Sequence, residues 1–221
     1  MVIGISGMIS SGKSTLSKKI VQHYQSAWVL NEYEHDDVIF NTFLKWLYEQ
    51  KPNLTMALQE YMVENHTTRL EQLFDEFKGN QGDFVKQHII LDRFSLEHFV
   101  FAQVNLVAKG KVYLDGFQRF FNQIVKPEDL PDLVIYLDMS FETFEKRLFA
   151  RNRNVEIKNY GLNKNYFIQL YMVYKEIFIQ QVHKYNLNYA IIDTDHLTEK
   201  QVFEKAIEII ENFDKNKVRA R

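Results

Sequence analysis

Gly7-Met8-Ile9-Ser10-Ser11-Gly12-Lys13-Ser14 sets two glycines five residues apart, with a lysine and a hydroxyl residue directly after the second. Glycines let the backbone curl until successive N–H groups face one point, and such a concavity suits phosphate oxygens. Lys13 adds a point charge for the outer phosphates, and Ser14 adds a hydroxyl suited to Mg²⁺. The pattern G-x-x-x-x-G-K-S follows the apolar run Val2-Ile5 and precedes a helical stretch, the context that separates a phosphate-binding P-loop from a chance glycine turn. The helix contributes the positive end of its dipole. A bound nucleoside triphosphate is therefore expected on Gly7, Met8, Ile9, Ser10, Ser11, Gly12, Lys13, Ser14 and Thr15.

Three further clusters have the chemistry that such a ligand calls for. Glu32 follows the second apolar run, where a carboxylate can accept the proton of an attacking hydroxyl; Glu34, Asp36 and Asp37 compete for that role. Asp92-Arg93 follows the third run. The acid there suits Mg²⁺, and the guanidinium suits a phosphoryl group or the reacting hydroxyl. Arg147 and Arg151 are i,i+4 neighbours with Arg153 just beyond. Guanidinium groups so close repel one another unless an anion joins them. A lid carrying them would neutralise charge developing on a transferred phosphoryl, an effect of about 10³ to 10⁵ in rate where arginines act this way.

The elements that must hold these groups are visible as short, continuous apolar runs at residues 2–5, 27–30, 89–91, 133–137 and 189–192. Unbroken runs separated by stretches long enough for crossover helices imply a doubly wound α/β fold with a five-stranded parallel sheet covered on both faces. Ligands bind at the carboxyl ends of such strands, which is where the clusters fall. From Thr55 to Phe77 apolar residues recur near helical spacing, fitting core packing or a helix-to-helix seam, and the turn cluster 78–83 closes that stretch. Thr198-Glu199-Lys200-Gln201 has capping-box spacing and should open a last helix that Asn212 closes.

Composition limits what else the chain can be. With 221 residues, 46% apolar, one domain over 1–221 is expected. A net charge of -2, from 27 basic and 29 acidic residues, provides no global field for nucleic acid or an anionic membrane. Cysteine is absent, and no run of about 18 uncharged apolar residues occurs. The first strand starts at Val2, leaving no room for a signal peptide, so a cytoplasmic protein with small-molecule partners is expected.

Taken together, these residues resemble the deoxyribonucleoside kinase family, and the likeness runs from Ile3 to about Asp195. It implies a P-loop kinase fold with an arginine lid over about residues 147–160, and transfer of the γ-phosphoryl of ATP, with Mg²⁺, to the 5′-hydroxyl of a deoxynucleoside. The family's base falls at Glu32, although Tyr33 stands where the family usually has proline. Tyr48 and Gln59 match its substrate segment, the tyrosine on the sugar 3′-hydroxyl and the glutamine on the base, where an amide offers donor and acceptor side by side. Asp92-Arg93 is similar to the acid-Arg-Ser signature, with Phe94 in place of the hydroxyl residue. Arg147, Arg151 and Arg153 match the lid arginines, and Glu156 falls where a glutamate joins the tyrosine on the 3′-hydroxyl.

The resemblance leaves base choice to a few side chains. His66 lies where many relatives have arginine, and Glu97 lies near the family's pocket aspartate with His98 competing; a His66 and Glu97 pair beside Gln59 would read exocyclic groups. The overall look is closest to bacterial deoxyadenosine and deoxyguanosine kinases, which implies a purine substrate and a homodimer. The rivals are a nucleoside monophosphate kinase of the thymidylate kinase type, which Glu32 at the acceptor position argues against, and a nucleotide switch, which would need a guanine-reading Asn-Lys-x-Asp that the chain lacks.

Overall fold

The protein is described by a computed structural model covering residues 1–32, 37–151 and 157–221. Its strands are β1 (Val2–Ser6), β2 (Trp28–Leu30), β3 (Ile89–Asp92), β4 (Leu133–Asp138) and β5 (Asn188–Asp193). They form one sheet in the order β2-β3-β1-β4-β5, and every adjacent pair is parallel. The five apolar runs are these five strands, and the fold is the doubly wound α/β architecture. Its helices are α1 (Lys13–His23), α2 (Val38–Tyr48), α3 (Thr55–Gly79), α4 (Ser95–Leu106), α5 (Lys111–Ile124), α6 (Phe141–Arg151), α7 (Tyr160–Lys184) and α8 (Glu199–Glu211). None of them is long and apolar enough to cross a membrane.

Successive strand residues face opposite sides, and each side has its own core. Ile3, Ile5, Ile90, Leu133, Ile135 and Leu137 pack with Leu16 and Ile20 of α1 and Val202, Ala206 and Ile210 of α8. Val2, Ile89, Leu91, Val134 and Tyr136 face the other way, into a larger cluster built by α3, α4, α5 and α7. Val63, Leu70, Phe74 and Phe77 of α3 are buried there. At about 1.5 to 3 kcal/mol for each such side chain, core packing accounts for the apolar stripe of that helix. The stretch 78–83 closes α3 two residues late, since Lys78 and Gly79 complete its last turn before Gln81 takes a left-handed φ of 59°.

Two helix caps and one close contact fix local geometry around the sheet. Asp37 caps α2 by accepting from Phe40 N at 2.7 Å, and the Thr198–Gln201 capping box opens α8, which ends at Asn212. Gly4, in the central strand, has Phe94 lying against it: a Cβ there would come within 2.9 Å of the Phe94 ring. Phe94 is fully buried and also meets Phe178, so the residue that departs from the acid-Arg-Ser pattern is a core side chain seated over a glycine.

Candidate active site

The loop after β1 turns sharply at Gly7, whose φ is 137°. A Cβ on Gly7 would approach Leu137 O to 2.5 Å and Ser11 Oγ to 2.7 Å, so only glycine lets the loop pass β4 this closely. Gly12, at φ 99°, precedes α1, whose first N–H groups have no acceptor within the helix. Lys13 is buried and donates from Nζ to Gly7 O and Met8 O, each at 2.9 Å. Burial, and after it the nearby Arg93 charge, lowers its pKa to about 8.

Beside this loop the end of β3 brings a second group of charges. The Ser14 hydroxyl hydrogen-bonds Asp92, whose Oδ1 is buried with no partner among the described residues; burial, and then Glu32, raises the pKa of Asp92. Arg93 is 2% exposed and has a left-handed φ of 75°. Its Nε donates to Glu32 Oε1 at 2.6 Å, and its Nη1 donates to Gly7 O at 3.2 Å, Glu97 Oε1 at 2.9 Å and Tyr174 OH at 2.8 Å. Phe101 lies 5.0 Å from the guanidinium carbon. Burial opposes the charge, but Glu32, Tyr174 and Glu97 outweigh it, so Arg93 stays firmly protonated.

Glu32, Arg93, Tyr48, Gln59, His98 and Arg151 line one open cavity of about 650 Å³, together with Ile9, Phe101, Asn105 and Tyr166. Tyr48 ends α2 and is held through its carbonyl, which accepts from Asn163 Nδ2 at 2.9 Å. Gln59 sits in α3, nearly buried. Asp37, a rival of Glu32 for the proton, is occupied otherwise: its carboxylate caps α2 and accepts from Tyr61 OH at 2.9 and 3.0 Å. Of the remaining expected residues, Glu34, Asp36, Arg153 and Glu156 lie outside the described residues.

The expected pairing of His66 with Glu97 is corrected. Glu97 does not line the cavity: its Oε1 accepts from Gly7 N at 3.0 Å, from Arg93 and from Tyr174 OH, because it projects from the first turn of α4 toward the P-loop. Its neighbour His98 projects elsewhere on the same helix and reaches the cavity instead. His66 stands behind it, the two rings edge to face at 5.2 Å. Burial lowers the pKa of His98 to about 3, and burial, with His98 second, lowers that of His66 well below the usual range. Burial, and not a carboxylate, thus fixes the charge of His66.

On the other side of the P-loop a second cavity is lined by Ser10, Ser11, Gly12, Thr15, Arg147, Arg151, Thr194 and Leu197. Arg147 is anchored there, donating to Thr194 Oγ1 and to Thr194 O, both at 2.8 Å. Arg151, one turn on, borders both cavities. Thr194 and Leu197 went unnoticed in the sequence, although their place directly after β5 is a signal of the kind that singled out Asp92. Tyr174 and Phe101 carry no such signal, being aromatic residues on helices that read as core.

Comparison with known proteins identifies the family. The family model described as deoxynucleoside kinase matches residues 3–215. An uncharacterised protein of Mycoplasma genitalium is 32% identical over 195 residues, covering 86% of this chain and 82% of its own. The deoxyadenosine kinase of Lactobacillus acidophilus is 25% identical over 162 residues, 70% of this chain and 68% of its own. In fold, the chain is similar to the deoxyadenosine kinase of M. mycoides with products bound, at a TM-score of 0.77 and 24% identity over 96% of this chain and all of that one. The chain belongs to the deoxynucleoside kinase family and is an ATP-dependent kinase.

Proposed function

We propose that the protein transfers the γ-phosphoryl group of ATP to the 5′-hydroxyl of a deoxynucleoside, with a purine, deoxyadenosine foremost, as the preferred base. The observation that carries this reading is Arg93, which touches both the P-loop at Gly7 O and Glu32 at the cavity mouth. A donor phosphate on residues 7–15 and a hydroxyl in the cavity would then meet at one guanidinium. Glu32 takes the 5′-proton as that oxygen attacks phosphorus, the bond from phosphorus to the bridging oxygen breaks, and ADP leaves with the electron pair. Lys13, Arg93, Arg147 and Arg151 neutralise the charge that spreads over the loose transition state.

Mg²⁺ fits the Ser14 hydroxyl and the unpartnered, buried Oδ1 of Asp92, which are hard oxygen donors. Among the described residues no cluster of three or more His, Cys, Asp or Glu offers a full cage, so phosphate oxygens and water would complete the shell. The ion would draw the outer phosphates together and offset their charge. Arg153 and Glu156 are proposed to join the lid and the 3′-hydroxyl site.

The amide of Gln59 and the ring of His98 are proposed to read the base, while Tyr48 holds the sugar. The preference for a purine is supported by the names of two relatives, the Lactobacillus acidophilus enzyme and a deoxyguanosine kinase 26% identical over 166 residues. A homodimer working in the cytoplasm completes the proposal. A nucleoside monophosphate as acceptor is disfavoured, because Glu32 would face its phosphate. Coupled ADP release, measured with the four deoxynucleosides and their monophosphates, tests the reading. The highest kcat/KM should fall to deoxyadenosine, and turnover of monophosphates alone would refute it.

A further inference from the structure

Glu97 is fully buried, yet it neither lines the substrate cavity nor belongs to the P-loop. Its hydrogen bonds converge on one oxygen. Oε1 accepts from Gly7 N at 3.0 Å, from Arg93 Nη1 at 2.9 Å and from the Tyr174 hydroxyl, while Oε2 has no partner among the described residues. Arg93 Nη1 returns to Gly7 O at 3.2 Å, so carboxylate, guanidinium and the Gly7 residue close a ring. An apolar side chain would fill the same space without the desolvation that a buried carboxylate suffers. Packing therefore does not account for the residue.

We propose that Glu97 is a positioning residue that locks the first turn of the P-loop to Arg93, so that the donor phosphates and the acceptor arginine move as one unit. Through Gly7 N it fixes the entry of the loop, and through Arg93 it fixes the guanidinium that also meets Glu32. Tyr174, reaching in from α7, holds the same oxygen in place and donates no charge of its own. Glu97 touches neither substrate in this scheme. The inference rests on the reading above in taking Arg93 as the arginine of the phosphoryl site.

Glu97→Gln keeps the shape and removes the charge. It should lower kcat about tenfold to a hundredfold and weaken ATP binding, while KM for the deoxynucleoside stays within about threefold. A second measurement needs no acceptor: calorimetric affinity for β,γ-imido ATP in the wild type, Glu97→Gln, Arg93→Lys and the double variant. Coupling through Glu97 predicts that the double variant loses less than the product of the two single losses. Multiplicative losses, or an unchanged kcat in Glu97→Gln, would overturn the proposal. If the wild type phosphorylates no deoxynucleoside, the acceptor reading fails and the calorimetric cycle still decides this one. Should Glu97→Gln fail to fold, Tyr174→Phe replaces it: a lower kcat at constant KM for the deoxynucleoside supports the lock, and an unchanged kcat refutes it.

Discussion

Arg93 Nε and Glu32 Oε1 lie 2.6 Å apart although 61 positions separate them in the chain. The bond holds the carboxylate in the lining of the cavity, on the same guanidinium that meets Gly7 O of the P-loop, and the proposed reading makes it the acceptor of the 5′-proton.

Glu32→Gln should therefore bind ATP and deoxynucleoside within a few-fold of the wild type, since the amide retains the shape and an oxygen for Arg93. Turnover should fall by about 10² to 10⁴, the usual contribution of a general base. Single-turnover kinetics with deoxyadenosine would check this, and near-normal rates would remove Glu32 from the role.

Lys13 titrates near pH 8, lowered chiefly by burial and then by Arg93. Below that pH its ammonium is charged and available to phosphate; above it the charge is lost. Affinity for β,γ-imido ATP should hold between pH 6.5 and about 8 and then decline, by at most about tenfold per unit for a single proton. Lys13→Met should bind more weakly and without that decline. A flat profile in the wild type would contradict the assignment.

His98 borders the cavity and His66 backs it. Replacing His98 with alanine should change the ratio of kcat/KM for deoxyadenosine over deoxycytidine by about tenfold or more, as expected when a hydrogen-bonding group to a substrate is lost. KM for ATP should not move. His66→Ala should shift the ratio less, because that ring acts through His98. Equal ratios in all three proteins would show that the pair is packing alone.

The same two rings make stability depend on acid. Unfolded histidine takes up a proton near pH 6.5, while in the fold burial keeps His98 neutral down to about pH 3 and His66 neutral well below 6.5. The unfolded state thus binds more protons in that window, and stability is present above pH 6.5 and lost as the pH falls. Each ring contributes at most about 1.4 kcal/mol per pH unit. Melting temperatures from pH 7.5 to 5 should decline, and the decline should be shallower in a His66→Gln, His98→Gln double variant.

The sheet was legible from the sequence because parallel strands buried on both faces read as unbroken apolar runs, and the P-loop, Glu32 and Asp92-Arg93 follow those runs directly. The partners of Arg93 were not. Tyr174 is 81 positions away on a helix whose aromatic residues are indistinguishable in sequence from core packing. The choice between Glu97 and His98 stayed open in the sequence for a related reason. Adjacent helical residues point about 100° apart, and only the docking of α4 on the sheet decides which of the two meets the loop and which meets the cavity. Asp37, an equal rival to Glu32 by position, is distinguished only by the helix it caps.

The direct pairing of β1 with β3 has a further consequence. Gly7 directly follows one of these strands and Arg93 the other, with Arg93 N bonded to Ile5 O at 3.2 Å. The lateral offset between the start of the P-loop and the backbone of Arg93 is thus set by one interstrand spacing, about 4.8 Å, a length no loop can stretch. Helices α2, α3 and α4, which shape the pocket, hang outside that ruler. Substitutions that reshape the pocket are then free to accumulate on the helices while the spacing of loop and arginine stays constant.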